Sequence, residues 1–374
     1  MRVRSKGGAI AAIAAAGVLA LGLSACGGDD DDSGAAADTA GGASSAGGKI
    51  ALLLPETQNA RYETKDKPLF EAKVKALCPN CEVIYSNADQ DAAKQQQQAE
   101  AAITNGAKVL VLDAVDAGAA QSVVSQADAK GIPVIAYDRQ LLGKGIDYYN
   151  SYDNAKVGEL QAQALVDKLK ADGKTSGTIV MINGAPTDNN AKLFKQGAHK
   201  VLDASGYKIG AEYDTPNWTP SEAQKEMDQA ISKLGKNGFI GVYAANDGTG
   251  GGAIAALKAA GIDPSTIPVT GQDAELAAIQ RILAGEQFMT VYKAIKPQAE
   301  DAATAAVNLL NGQPLGLDTT PVNNGTEDVP SSIYNPVSVT KDNVKDTIVA
   351  DGFWPVSEIC TGPYAAACTA AGIQ

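Results

Sequence analysis

Short apolar segments that alternate with helical patterns constrain the fold of this chain more than any other sequence feature. Residues 50–54, 108–112 and 178–182 are rich in Ile, Leu, Val and Met, as expected for strands that are covered on both faces. Helical patterns separate successive runs, so the strands should be parallel. The alternation begins at residue 49 and starts again after residue 151. The sequence therefore predicts an α/β fold of two Rossmann-like, doubly wound parallel-sheet lobes.

Polar residues follow many of the predicted strands at the point where each strand ends. They include both signs of charge and amides that can donate and accept hydrogen bonds. Because the carboxyl ends of parallel strands share one edge, which is where open α/β sheets bind ligands, these side chains should converge. The pattern predicts a polyhydroxylated ligand. The strand-end residues are Asp138, Arg139, Asp188, Asn190, Asn246, Asp273 and Lys293.

The amino terminus has the parts of an export signal. A basic start at residues 2–6 precedes a short apolar run at residues 7–22 and the small residues before Cys26. This arrangement resembles a bacterial lipobox, which implies a signal peptide over residues 1–25 and a lipid on Cys26. In residues 26–48, every residue after the cysteine is Gly, Ala, Ser, Thr or Asp, which is typical of a flexible tether. An ordinary secretory signal with a chance cysteine is the alternative.

Composition excludes some classes of function. The formal net charge of −12 argues against nucleic-acid binding, which needs a basic surface. His199 is the only histidine, so multi-histidine metal sites are excluded, and no G-x-S-x-G motif accompanies it. We therefore expect neither an enzyme nor a cofactor or metal.

Four further cysteines form two local pairs, Cys78 with Cys81 and Cys360 with Cys368. In an exported protein this spacing favours two short structural disulfides. A redox role for the first pair and a zinc site built from all four cysteines remain alternatives.

Residues 248–253 fit the dinucleotide fingerprint G-x-G-x-x-A, and Asp273 lies downstream. However, Asp247 would place a carboxylate close to the bound pyrophosphate, where like charges are costly. An exported protein would also lie away from cytosolic NAD. An NAD-dependent enzyme is therefore kept only as an alternative to a binding protein.

Several motifs, together with the lipobox and the two lobes, resemble the substrate-binding proteins of bacterial ABC sugar importers. The resemblance is to the ribose/galactose-binding (type I) class, and within it to D-xylose-binding members, and it extends from Lys49 to Phe353. The run Asp188-Asn189-Asn190-Ala191-Lys192-Leu193-Phe194 is its most specific part. The other stretches are residues 136–139, 157–162, 265–273, 289–293 and 328–331.

This resemblance implies an extracytoplasmic protein, anchored by lipid to the outer face of the cell membrane. It would be a monomer that binds a monosaccharide, with D-xylose expected, and delivers it to an ABC permease and through it to the ATPase subunit. The implied lobes are residues 49–152 with 294–334 and residues 153–293 with 335–374, joined by a three-stranded hinge. A sugar receptor for chemotaxis or for a sensor kinase, or a binding protein for another sugar, would use the same site.

The resemblance also implies the sugar contacts, position by position. Arg61 corresponds to the first binding arginine, and Trp218 to an aromatic residue that stacks on the sugar. Tyr62 stands where the family usually has Trp, so the chain departs from the pattern there. The complete implied set is Arg61, Tyr62, Asp138, Arg139, Asp188, Asn190, Trp218, Asn246, Asp273 and Lys293.

Overall fold

The computed structural model describes residues 47–373. No helix within this range is long and apolar enough to cross a membrane. The predicted signal peptide, the predicted lipid site at Cys26 and most of the predicted tether lie outside the described residues. These features stay predictions.

Strands and helices alternate along most of the chain. The strands are β1 Lys49–Leu54, β2 Glu82–Asn87, β3 Ala107–Leu112, β4 Val134–Tyr137, β5 Tyr148–Tyr152, β6 Thr178–Asn183, β7 Lys208–Asp214, β8 Gly241–Ala244, β9 Met289–Tyr292, β10 Thr320–Asn323, β11 Asp328–Tyr334 and β12 Val337–Thr340. The α-helices are α1 Lys67–Leu77, α2 Ala92–Thr104, α3 Gln121–Asp128, α4 Asn154–Ala171, α5 Asn189–Ser205, α6 Pro220–Leu234, α7 Asp247–Ala259, α8 Leu276–Ala284, α9 Ile295–Leu310, α10 Val356–Ile359 and α11 Ala365–Ala370.

The first lobe is built on a large sheet in the strand order β10-β11-β5-β4-β3-β1-β2. Its strands are parallel except β10, which runs antiparallel to β11. Leu52 and Leu54 of β1 pack against α1 and α9 on one face, whereas Leu53 packs against α2 and α3 on the other. Burial on both faces explains the continuous apolar run, and each such side chain contributes about 1.5–3 kcal/mol to stability.

The second lobe has a small sheet in the order β7-β6-β8, extended by a single bridge between Val242 and Val269. Helices α4 and α5 cover one face, and α6 and α7 cover the other. A further pair, β9 with β12, packs with α8 and the C-terminal segment around Ile279, Ile348 and Ile359. Two parallel-sheet lobes are thus confirmed.

In the described residues three connections pass between the lobes. They lie between β5 and α4, between β9 and α9, and between β11 and β12. The Tyr152 hydroxyl donates to the Ala294 carbonyl at 2.8 Å, and its ring lies 5.7 Å from that of Tyr334, so the three connections contact one another. They correspond to the expected three-stranded hinge. The predicted residue boundaries of the lobes remain a prediction.

Each lobe contains one disulfide that closes a short loop. Cys78 and Cys81 are bonded just after α1, with Cα atoms 5.3 Å apart. Cys360 and Cys368 are bonded in the C-terminal segment, with Cα atoms 5.7 Å apart. Each disulfide therefore stabilises a loop within its own lobe.

Candidate functional site

A small cavity, of about 10 Å³, lies between the lobes at the carboxyl ends of the strands. Side chains from both lobes form its wall, and most of them are buried and polar. Larger surface grooves elsewhere on the described residues do not gather these strand-end residues. The wall comprises Asn59, Arg61, Tyr62, Asp138, Arg139, Asp188, Asn190, Phe194, Trp218, Gln272, Asp273 and Lys293.

The structure brings together every expected sugar contact except Asn246. Asn246 lies behind the wall, where it caps α7 by accepting from the Thr249 N–H at 2.8 Å and donates to Asn59 Oδ1 at 2.6 Å. Sequence reasoning missed Asn59, Phe194 and Gln272 as wall residues. Two of them had a usable pattern, because Phe194 ends the most specific motif and Gln272 precedes Asp273 after a strand.

Arg61 organises the first-lobe side of the cavity. It follows β1 and donates twice to Asp66, at 2.7 and 3.0 Å, and also to Gln298 at 2.9 Å and Asp138 at 3.2 Å. Burial alone would raise the pKa of Asp138, but the nearby cations, Arg61 foremost, outweigh it and lower that pKa to about 2. Asp138 is therefore a carboxylate that only accepts hydrogen bonds.

Two carboxylates of the site stand on left-handed backbone. Asp138 has φ 57° and Asp273 has φ 91°. Non-glycine residues rarely adopt such angles, although Asp tolerates them better than most, so the surrounding structure must hold them. The Ser151 hydroxyl donates to the Asp138 carbonyl at 2.6 Å, and the Asp273 N–H donates to the Val291 carbonyl at 2.9 Å. These bonds fix the turns that direct both residues toward the cavity.

Arg139 is the second fixed cation and is 2% exposed. Its Nε lies 3.1 Å from Asp188 of the second lobe and 3.5 Å from Asp113 of the first. Its Nη1 donates to the Ala114 carbonyl at 3.1 Å, and its Nη2 lies 3.9 Å from Glu56. Burial raises the pKa of all three carboxyls, and Arg139 opposes that rise.

The second lobe contributes polar groups that are held by their own neighbours. Asp188 caps α5 by accepting from the Asn190 N–H at 2.8 Å, and it also accepts from the Trp218 indole at 3.1 Å. Lys293 lies 2.9 Å from Asp273 and 5.3 Å from the ring centroid of Tyr152. The second lobe therefore presents the carboxylate of Asp188, the amide of Asn190 and the ammonium group of Lys293 on the side that faces the first lobe.

Aromatic rings complete the wall. The rings of Phe194 and Trp218 meet at 64° with centroids 6.3 Å apart. Gly184 makes room for the indole, because a Cβ at that position would lie inside 3.0 Å of three ring atoms. Gly158 similarly lets α4 approach the Phe194 carbonyl closely. Small residues therefore set the position of the apolar surface.

Direct contacts cross between the lobes around the cavity. The Asn59–Asn246 and Arg139–Asp188 contacts are two of them, and the Asn190 amide donates to the Asp138 carbonyl at 3.2 Å. Farther out, Lys65 donates to the Phe353 carbonyl at 2.5 Å and lies 3.9 Å from the ring centroid of Trp354.

The chemistry of the site is that of recognition by hydrogen bonds. Buried oxygens of Glu56, Asp113 and Gln272 lack a hydrogen-bond partner within the described residues, whereas buried polar groups are normally paired.

Residues 47–373 contain no cluster of three or more His, Cys, Asp or Glu arranged to hold a metal. His199 lies on the surface beside Asp203 and Glu212, at 3.2 and 3.0 Å.

The fold and the cavity define a two-lobed α/β ligand-binding protein. Residues 50–314 match the model of the periplasmic binding protein domain family. The chain is 41% identical over 315 residues to the D-xylose-binding periplasmic protein of Escherichia coli, covering 83% of this chain and 92% of that protein. It is 38% identical to the protein of the same name from Haemophilus influenzae, covering 82% and 90%. The chain belongs to the periplasmic binding protein family.

A solved structure is also similar to this chain. It is an ABC transporter solute binding protein from Clostridium phytofermentans with bound β-D-glucose, and it matches with a TM-score of 0.75 at 28% identity. The match covers 83% of this chain and 99% of that one.

Proposed function

We propose that this protein is the extracytoplasmic substrate-binding component of a bacterial ABC importer and that it binds D-xylose between its lobes. One observation carries the proposal. Buried donors, acceptors and aromatic rings from both lobes line one small cavity at the strand ends. Relatives at 41% and 38% identity are named as D-xylose-binding proteins, which supports the choice of sugar.

The wall suits a pyranose because each hydroxyl both donates and accepts. Asp138 and Asp273 accept, Arg61, Arg139 and Lys293 donate, and hydrogen bonds to charged groups contribute about 1.5–3 kcal/mol each. The Phe194 and Trp218 rings can cover the apolar C–H surface of the sugar. Asn246 acts indirectly, by holding Asn59.

Delivery to the permease requires the sugar to favour one arrangement of the lobes. We propose that the lobes close about the three connections. The sugar shifts the equilibrium between the open and closed forms only by as much as it binds the closed form more tightly than the open form. The permease and its ATPase subunit would then accept the closed protein. A lipid on Cys26 and the tether that follows it would keep the protein at the outer face of the membrane.

Isothermal titration calorimetry of the purified domain with a panel of pentoses and hexoses tests this function. We expect D-xylose to bind most tightly, with D-glucose as the hexose comparison. Tight binding of another sugar without heat from D-xylose would refute the xylose assignment and leave the class intact. Absence of binding by every sugar in the panel would refute the proposed function itself.

A further inference from the structure

Buried carboxylates outnumber the cations at this site. In the described part of the chain, the cations in the wall are Arg61, Arg139 and Lys293, none more than 4% exposed. Six carboxylates with the same degree of burial contact them within 4.0 Å. They are Glu56, Asp66, Asp113, Asp138, Asp188 and Asp273.

Two of these carboxylates stand behind Arg139 and outside the cavity wall. Asp113 follows β3, is 0% exposed, and neither of its oxygens has a hydrogen-bond partner in residues 47–373. Glu56 follows β1 and is also 0% exposed; its Oε2 accepts from the Asn59 N–H at 2.9 Å, while its Oε1 faces Arg139. Both side chains meet the same guanidinium from the first-lobe side, whereas Asp188 meets it from the second lobe.

The charges of these two groups set how far the carboxylates outnumber the cations. Burial raises the pKa of both Glu56 and Asp113, and Arg139 opposes that rise. The carboxylates outnumber the cations by six to three with both groups ionised, and by four to three with both neutral. Arg139 would also remain paired with Asp188 at 3.1 Å.

We propose that Asp113 and Glu56 determine the class of substrate, by consuming the positive charge of Arg139 so that the site accepts uncharged sugars and rejects sugar acids. This inference rests on the proposed function and deepens it. Arg139 then serves as a hydrogen-bond donor to hydroxyls without acting as an anion receptor. A sugar carboxylate would enter a buried site of net negative charge, where like charges oppose binding. A neutral sugar supplies hydroxyl donors to the carboxylate oxygens of Asp138 and Asp273, which line the cavity.

Three pyranoses separate charge from size in the test. D-glucose, D-glucuronamide and D-glucuronate share one ring and differ at a single substituent, and the last two are nearly equal in size. By calorimetry we expect the parent protein to bind the amide at least about 30-fold more tightly than the acid. An amide that binds no better than the acid would overturn the proposal, because exclusion would then be steric.

Charge-removing variants test the two residues directly. Asp113→Asn keeps the shape of the side chain, and Glu56→Gln provides a second variant if the first does not fold. Each variant should reduce the ratio of the affinity for D-glucuronamide to the affinity for D-glucuronate by at least about threefold, because one nearby negative charge is removed. Equal weakening of both ligands would overturn the proposal, since the carboxylates would then only orient Arg139.

The matched control is Asp147→Asn. Asp147 accepts from the Val134 N–H at 2.9 Å at the amino end of β4, roughly 13 Å along the strand from Asp138 and Arg139. This variant should leave the ratio unchanged. If the parent binds neutral sugars and charge makes no difference, only this inference fails; if no sugar binds, the proposed function fails.

Discussion

Replacing Arg139 by methionine should remove most of the sugar affinity. The change keeps an unbranched apolar stem but deletes a guanidinium that is 2% exposed and faces the cavity. Loss of even one charge-assisted hydrogen bond, about 1.5–3 kcal/mol, raises Kd about 10- to 150-fold. Loss of two would multiply these factors.

The same change should lower stability in the absence of sugar. Asp188, Asp113 and Glu56 all lie within 4.0 Å of this guanidinium. Removing one partner of a buried ion pair costs about 3–5 kcal/mol, part of which is recovered when the stranded carboxyls take up protons. Thermal unfolding followed by circular dichroism should therefore show a lower midpoint.

Calorimetry with D-xylose measures the affinity loss, and Arg281→Met is the matched control. Arg281 donates to Gln287 at 2.9 Å and to the Asp247 carbonyl at 2.9 Å, outside the cavity wall. We expect the control to bind D-xylose within about threefold of the parent. A folded Arg139→Met protein whose affinity is equally unchanged would refute the role given to Arg139.

Three further perturbations test the wall, the contact between the lobes and the titration of the site. Gly184→Ala should displace the Trp218 ring and weaken calorimetric D-xylose binding by about tenfold or more, because the new Cβ would lie inside 3.0 Å of ring atoms. Lys65→Met should speed sugar release several-fold in stopped-flow experiments, because it deletes the cation 3.9 Å from the Trp354 ring. Asp138 has a folded pKa of about 2, below its ordinary 3.8, so the stability it contributes is present above about pH 4 and lost as pH falls toward 2. Asp138→Asn should flatten this part of the dependence of the unfolding midpoint on pH.

The glycine and lysine variants each have a control in which the same substitution is made at another position. A Cβ at Gly248 would meet nothing nearer than 3.5 Å, so Gly248→Ala should bind D-xylose like the parent. Lys73 pairs with Glu300 at 3.7 Å within the first lobe, so Lys73→Met should leave the release rate unchanged. Equal effects in a variant and its control would contradict the reasoning for that variant.

The repeated βα units could be predicted because their strands are covered on both faces. β1, β3 and β6 read as unbroken apolar runs, and their observed bounds agree with the prediction to within a residue or two. β10 and β11 were missed because their exposed and polar positions resemble loops, and β11 carries Pro330. Residues 268–270 also have the sequence pattern of a strand, but they form only one bridge, at Val269.

The sequence could predict those site residues that directly follow a strand. Asp138, Arg139 and Lys293 directly follow strands, so their convergence follows from parallel pairing. Phe194 was not assigned to the wall, although it ends the most specific motif, because an aromatic residue at helical spacing is equally expected in a core. Asp113 also follows a strand, but its position behind Arg139 depends on contacts between loops that the sequence does not reveal.

A crystal structure of the protein grown with D-xylose would show directly whether the cavity between the lobes holds the sugar. We predict one sugar there, with its hydroxyls within hydrogen-bond distance of Arg139 and Asp138 on one side and Asn190 and Lys293 on the other. A sugar bound elsewhere, with this cavity still closed by the Arg139–Asp188 contact, would contradict it.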